Sequence, residues 1–169
     1  MKKNTGQAKE ETVLPVVNLC DPLLSHIMEE CFEVVVAAQH TDNIKLAEEL
    51  GDVYSLFKIM VRKYPSVTLT LPTGEPGGFK PKDCRRELCE RVASIGKHIN
   101  KFQRFGPNRN NPKTGLPAST QISQALVGLA GCIDAANLTS GIEGVPFKDV
   151  VELQIKMRHS FHLRLYPVD

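Results

Sequence analysis

The sequence predicts an all-α protein, an antiparallel bundle of four to five helices. Three observations predict it. Apolar residues recur at helical spacing in five separate stretches, the separators between them are rich in proline, glycine and asparagine, and only one short run, Val67 to Leu71, alternates as a strand does. At 169 residues, 41% hydrophobic and 24% charged, the chain suits a single globular domain.

The opening MKKNTGQAKEET is polar, and the apolar run after it is short and broken by Pro15, so residues 1–20 read as a flexible segment and not as a signal peptide. Asp21-Pro22 reads as an N-cap followed by proline at the first helical position. Leu23, Leu24, Ile27, Cys31, Val34, Val35 and Ala38 then place the first helix at about 22 to 39. His40-Thr-Asp-Asn43 breaks the pattern. The second helix runs from about Asn43 to Pro65 on the stripe Leu46, Leu50, Val53, Leu56, Phe57, Met60 and Val61, and the short connection makes the pair antiparallel. Residues 65–82 form a Pro/Gly-rich connection around the alternating run, with room for one small β-hairpin. Asp83 caps a third helix to about Phe105, on Leu88, Val92, Ile95, Ile99 and Phe102, and Gly106-Pro107 stops it. A polar loop, a fourth helix from about Ser119 to Leu138 and a fifth from about Phe147 to Leu165 complete one domain over 21–169, divided into a helix pair at 21–64 and a second half at 83–169.

Composition excludes several function classes. With 21 basic and 19 acidic residues the net charge is +2, giving no global field for nucleic acid or an anionic membrane. No stretch approaches the roughly 18 apolar residues of a membrane span. The five cysteines are odd in number and form no CxxC pair, so they read as reduced, buried residues of a cytoplasmic protein.

The chemistry concentrates in Glu29-Glu30-Cys-Phe-Glu33 and Glu49-Leu-Gly-Asp52. Residues three apart share a helix face, so Glu30 points with Glu33 and Glu49 with Asp52, each pair beside apolar residues near the packing seam. Four carboxylates converging between two helices repel unless protons or cations neutralise them, and hard oxygen donors select Mg2+ or Mn2+. The bland alternative is a solvated acidic face. Gly51 speaks against it, because a mid-helix glycine costs about 1 kcal/mol relative to alanine and signals close approach of something. Glu48, one residue off the face, reads as solvent-exposed.

This EExxE, spacer, ExxD pattern resembles the signature of the all-α nucleoside triphosphate pyrophosphohydrolases, the superfamily of MazG, phosphoribosyl-ATP pyrophosphohydrolase and the dimeric dUTPases. The likeness covers about residues 23–60, with LAEELGDVYSLF similar to the second acidic helix. It implies cleavage of a nucleoside triphosphate between the α and β phosphates, giving monophosphate and pyrophosphate. It further implies that Glu30, Glu33, Glu49 and Asp52 are metal ligands and that Glu29 is an accessory acid that orients or deprotonates the attacking water.

Lys97, Asn100, Lys101 and Arg104 form one polar stripe on the third helix and are candidate donors to phosphates, with an ordinary solvated face as the alternative. Ile99-Asn-Lys-Phe-Gln-Arg104 resembles the phosphate-binding helix of dimeric dUTPases, and KFQRFGP resembles text in phage MazG-like proteins. Glu87-Leu-Cys-Glu90 can be laid on Glu30-Cys-Phe-Glu33, as in a degenerate repeat that lacks the second pair of acids; chance helix composition explains it equally well. His159 and His162 read as surface or interface histidines, Asp134 as a surface aspartate, and the basic segment 156–164 as too short for an RNA interface.

With no tryptophan, base stacking falls to Phe32, Tyr54, Phe57, Phe102 or Phe105. The expectation is a metal-dependent hydrolase and homo-oligomer (dimer or tetramer) acting on a deoxynucleotide, with dGTP, dUTP and dCTP all open. The rival readings are a non-catalytic helical interaction module and a nucleotide sensor.

Overall fold

The structure, a computed structural model, describes residues 21–74 and 83–168. The N-terminal segment expected to be flexible lies outside the described residues. Five helices follow one another: α1 (Pro22–Ala37), α2 (Asn43–Lys63), α3 (Cys84–Phe105), α4 (Ala118–Asp134) and α5 (Phe147–Leu165). None is long and apolar enough to cross a membrane.

Local chemistry sets where the helices begin and end. The Asp21 carboxylate accepts from Leu23 N at 3.0 Å, capping α1. It also holds Lys63 Nζ at 2.8 Å and the Tyr64 hydroxyl, both at the end of α2, so one buried side chain clamps the open end of the α1–α2 pair. Burial works against its charge, but hydrogen bonds from Lys63, Tyr64 and the Leu23 amide outweigh burial and hold its pKa below the ordinary value. At the other end Asp42 caps α2 through Ile44 N and Lys45 N, both at 3.0 Å. Gly106, at φ +83°, ends α3 in a conformation that side-chain-bearing residues avoid.

In space the neighbours run α5, α2, α1, α3, α4, with α4 only brushing α5. α3 lies against α1, with Gly96 beside Cys31 and Gln103 beside Ser25, and α4 packs on α3. α5 returns to lie along α2. Buried Leu23, Ile27, Leu50, Tyr54, Phe57, Val92, Phe102, Leu126 and Val151 belong to one continuous core. Each large apolar side chain there contributes about 1.5–3 kcal/mol, as an upper bound.

Several expectations are corrected. No strand forms at Val67 to Leu71: Val67 is buried, and Thr68 N donates to Ser123 Oγ of α4 at 2.9 Å, so α4 takes the place of a partner strand. The bridges among the described residues are Asn110–Pro117 and Thr139–Pro146, in the loops that lead into α4 and α5. α4 ends at Asp134, four residues early, and the Asp134 carboxylate takes the amides of Thr73 at 3.0 Å and Gly74 at 2.8 Å. It fastens the α2–α3 connection and is not a bare surface aspartate. Gly51 does mark a close approach, but by α5 and not by a ligand: a Cβ there would lie 2.4 Å from Gln154 Cβ and 3.0 Å from its carbonyl carbon.

Candidate metal centre

α1 and α2 cross so that Glu30, Glu49 and Asp52 each offer an oxygen, all within 4.8 Å of one another. Glu49 and Asp52 are buried at 3% and 8% exposure, and Glu30 is half-buried. Glu33 stands more open, with its carboxyl beside that of Glu49. Glu29 is exposed on the same helix. Of the four acids read from their spacing as one set, Glu30, Glu49 and Asp52 converge, while Glu33 stands outside that cluster beside Glu49.

Crowding of like charge shows in their acidity. Burial first, and then the charges of Asp52, Glu33, Glu49 and Glu29, push the Glu30 pKa up to about 8. Burial raises Asp52 to about 6, with Arg158 opposing and Glu49 adding to the rise. Glu33 moves up as well, through burial and then Glu49.

The surroundings come from parts of the chain that spacing did not connect. His26 Nε2 lies 3.0 Å from Glu30 Oε1, while His26 Nδ1 lies 3.0 Å from the Tyr166 hydroxyl. Glu30 is thus tethered by one oxygen, and its other, Oε2, is buried without a hydrogen-bond partner. Arg158 Nε and His162 Nε2 approach Asp52 Oδ1 at 3.7 and 3.6 Å, and Ser55 Oγ bonds His162 Nδ1. His162 is therefore a buried residue of the site and not a surface one. Burial, and then His26, Arg158 and His159, lower its pKa to about 4, so it stands neutral beside Asp52. Lys45 reaches from the first turn of α2 to Glu49, and to half-exposed Glu48 at 3.9 Å. His26 was legible in principle, one turn before Glu30 on the same face. Arg158 and His162 carry no such signal.

These residues suit a hard divalent cation. Three carboxylates converge, each with an oxygen in reach, and one buried oxygen has no protein partner while its sister atom is oriented by a histidine. Beside them a groove of about 610 Å3 is lined by Glu29, Phe32, Glu33, Val36, Lys45 and Glu49, among others. None of Lys97, Asn100, Lys101 and Arg104 lines it. Lys101 instead faces a separate cavity of about 230 Å3 with Phe105 and Arg109, at the junction of α3 and α4. In α3, Glu87 and Glu90 pair with Arg91 and Arg86, and no second acidic cluster appears among the described residues.

Fold and site together define an all-α helical-bundle protein with a carboxylate cluster between its first two helices. Residues 21–62 match the family model of the MazG nucleotide pyrophosphohydrolase domain, so the α1–α2 pair is MazG-like. No curated protein and no solved structure matches the chain.

Proposed function

We propose that the chain is a Mg2+- or Mn2+-dependent nucleoside triphosphate pyrophosphohydrolase that cleaves a (d)NTP between the α and β phosphates to a monophosphate and pyrophosphate. The observation that carries this reading is the convergence of Glu30, Glu49 and Asp52, with Glu30 Oε2 buried and unpartnered. Glu30, Glu33, Glu49 and Asp52 would hold the cation. When bound, it supplies positive charge to phosphate oxygens and to the leaving pyrophosphate. Glu29, exposed on the groove, orients the attacking water and accepts its proton. His26 and Arg158 fix the carboxylates of Glu30 and Asp52, and Lys45 offsets charge at Glu49.

The stripe Lys97, Asn100, Lys101 and Arg104 lines no part of that groove, so its candidacy for the outer phosphates rests on the likeness to the phosphate-binding helix of dimeric dUTPases alone. A Lys101→Ala/Arg104→Ala double variant supports that role if KM for nucleotide rises, and an unchanged KM removes it. The substrate is a deoxynucleotide on the strength of the phage-type likeness, with dGTP, dUTP and dCTP to be ranked.

Self-association is proposed through α5. Leu153, Met157, Phe161 and Leu165 lie exposed at four-residue spacing, a ridge that interdigitates with its own copy. Asp149 near the start of α5 and Arg164 near its end set opposite charges together when two copies pair antiparallel.

The deciding experiment incubates purified protein with each ribo- and deoxynucleoside triphosphate plus Mg2+ or Mn2+ and identifies the products by chromatography. Monophosphate and pyrophosphate, absent with chelator and with Glu49→Gln, support the reading. Absence of product from every nucleotide moves the assignment to a helical interaction module, which the α5 ridge favours, or to a sensor if nucleotide binds without turnover.

A further inference from the structure

The groove beside the acids holds an aromatic side chain that the fold does not use. Of the five aromatic residues that the sequence offers for base stacking, Tyr54, Phe57 and Phe102 are buried in the core. Phe105 carries the guanidinium of Arg109 at 4.3 Å and that of Arg104 at 5.3 Å, and it belongs to the separate cavity between α3 and α4. That leaves Phe32, which is 67% exposed. Its ring has no aromatic or cationic partner among the described residues.

Phe32 is exposed because it stands on the outer side of α1, away from the buried stripe of Leu24, Ile27, Cys31 and Val34. Val36 follows one turn later and is also exposed, at 39%, so the two form an apolar strip along α1. The strip shares its groove with Glu29, Glu33 and Glu49, the acidic end where the triphosphate is placed above. An apolar wall continuous with a cation-binding acidic end matches a ligand with one planar apolar part and one polyphosphate part. The groove's volume, about 610 Å3, is in the range of small-molecule sites.

Resting on the proposed activity, we propose that Phe32 is the platform on which the substrate's nucleobase stacks, with Val36 completing the wall and His40 at the groove's far end toward the α1–α2 turn. Stacking on an aromatic face is worth enough to change affinity about ten-fold per base.

Two measurements test this. In steady-state kinetics with Mg2+, Phe32→Ala should raise KM for nucleotide about ten-fold, and far more than it lowers kcat. It should leave the inhibition constant of inorganic tripolyphosphate, which has no base, where it was. Because the chain has no tryptophan, Phe32→Trp creates a single reporter at the groove. Its fluorescence should change on adding nucleoside triphosphate and stay constant on adding tripolyphosphate. An unchanged KM in Phe32→Ala overturns the proposal, as does a Phe32→Trp reporter indifferent to nucleotide. A Phe32→Ala protein of halved solution mass with unaltered KM also overturns it and makes Phe32 a contact between copies. Failure of the activity itself is a separate result: wild-type protein would turn over no nucleotide, while the reporter would still read whether a base stacks.

Discussion

Glu30 binds its proton more tightly in the folded chain than in the unfolded one, because burial and four neighbouring acids raise it from 4.5 to about 8. Its contribution to stability is therefore complete below about pH 4.5 and is lost as pH rises toward about 8, and Asp52 follows the same course from 3.8 to about 6. His162, lowered from 6.5 to about 4, opposes this below about pH 6.5. Thermal melting with chelator should therefore show Tm falling between about pH 6.5 and pH 8.5, where Glu30 alone of the three still titrates, with Mg2+ or Mn2+ restoring it most at the alkaline end. A Tm that rises over that interval would contradict the assignment of these shifts. Glu49→Gln and Asp52→Asn relieve repulsion, so circular dichroism should show them folded and at least as stable as wild type while turnover falls at least about 100-fold. His26→Ala frees the tethered oxygen of Glu30. Calorimetry should read a cation affinity about 10- to 100-fold weaker without loss of fold.

Gly51 shows how one element positions another. In an isolated helix Gly→Ala gains about 1 kcal/mol, but here the added methyl would meet Gln154 Cβ at 2.4 Å and force α5 away from α2. Gly51→Ala should instead destabilise by about 1–3 kcal/mol in denaturant unfolding. It should also lower activity beyond what stability explains, because Arg158 and His162 ride on α5 to reach Asp52. At the opposite end of the pair, Asp21→Asn keeps the cap to Leu23 but loses the charge that holds Lys63. A loss of about 1–2 kcal/mol is expected.

For the whole molecule, the α5 ridge makes a prediction separate from the chemistry. If Leu153, Met157, Phe161 and Leu165 bury one another between copies, Met157→Glu should reduce the mass measured by light scattering to that of one chain. Light scattering that gives the same mass for wild type and variant would exclude α5 as the interface. Binding of a divalent cation should raise Tm in both forms, because the acids lie between α1 and α2 of a single chain.

The five helices, the Asp21 and Asp83 caps and the acidic pairs were readable from the sequence because each is a local property: an apolar period of 3.6, an Asp before the first turn, carboxylates three residues apart on one face. Such signals live within about a turn or two of chain, and they hold wherever the helix finally docks. The alternating run at Val67 to Leu71 misled because alternation needs a partner strand, and α4 occupied that position instead. What only the tertiary structure decided is what the helices bring to one another. α5 passes α1, α3 and α4 to lie on α2, because Gly51 lets the two backbones approach, and so His162 and Arg158 meet Asp52 more than a hundred residues away. It likewise buried Tyr54, Phe57 and Phe102 and left Phe32 facing the acids, since burial depends on the packing of whole helix faces and not on residue type.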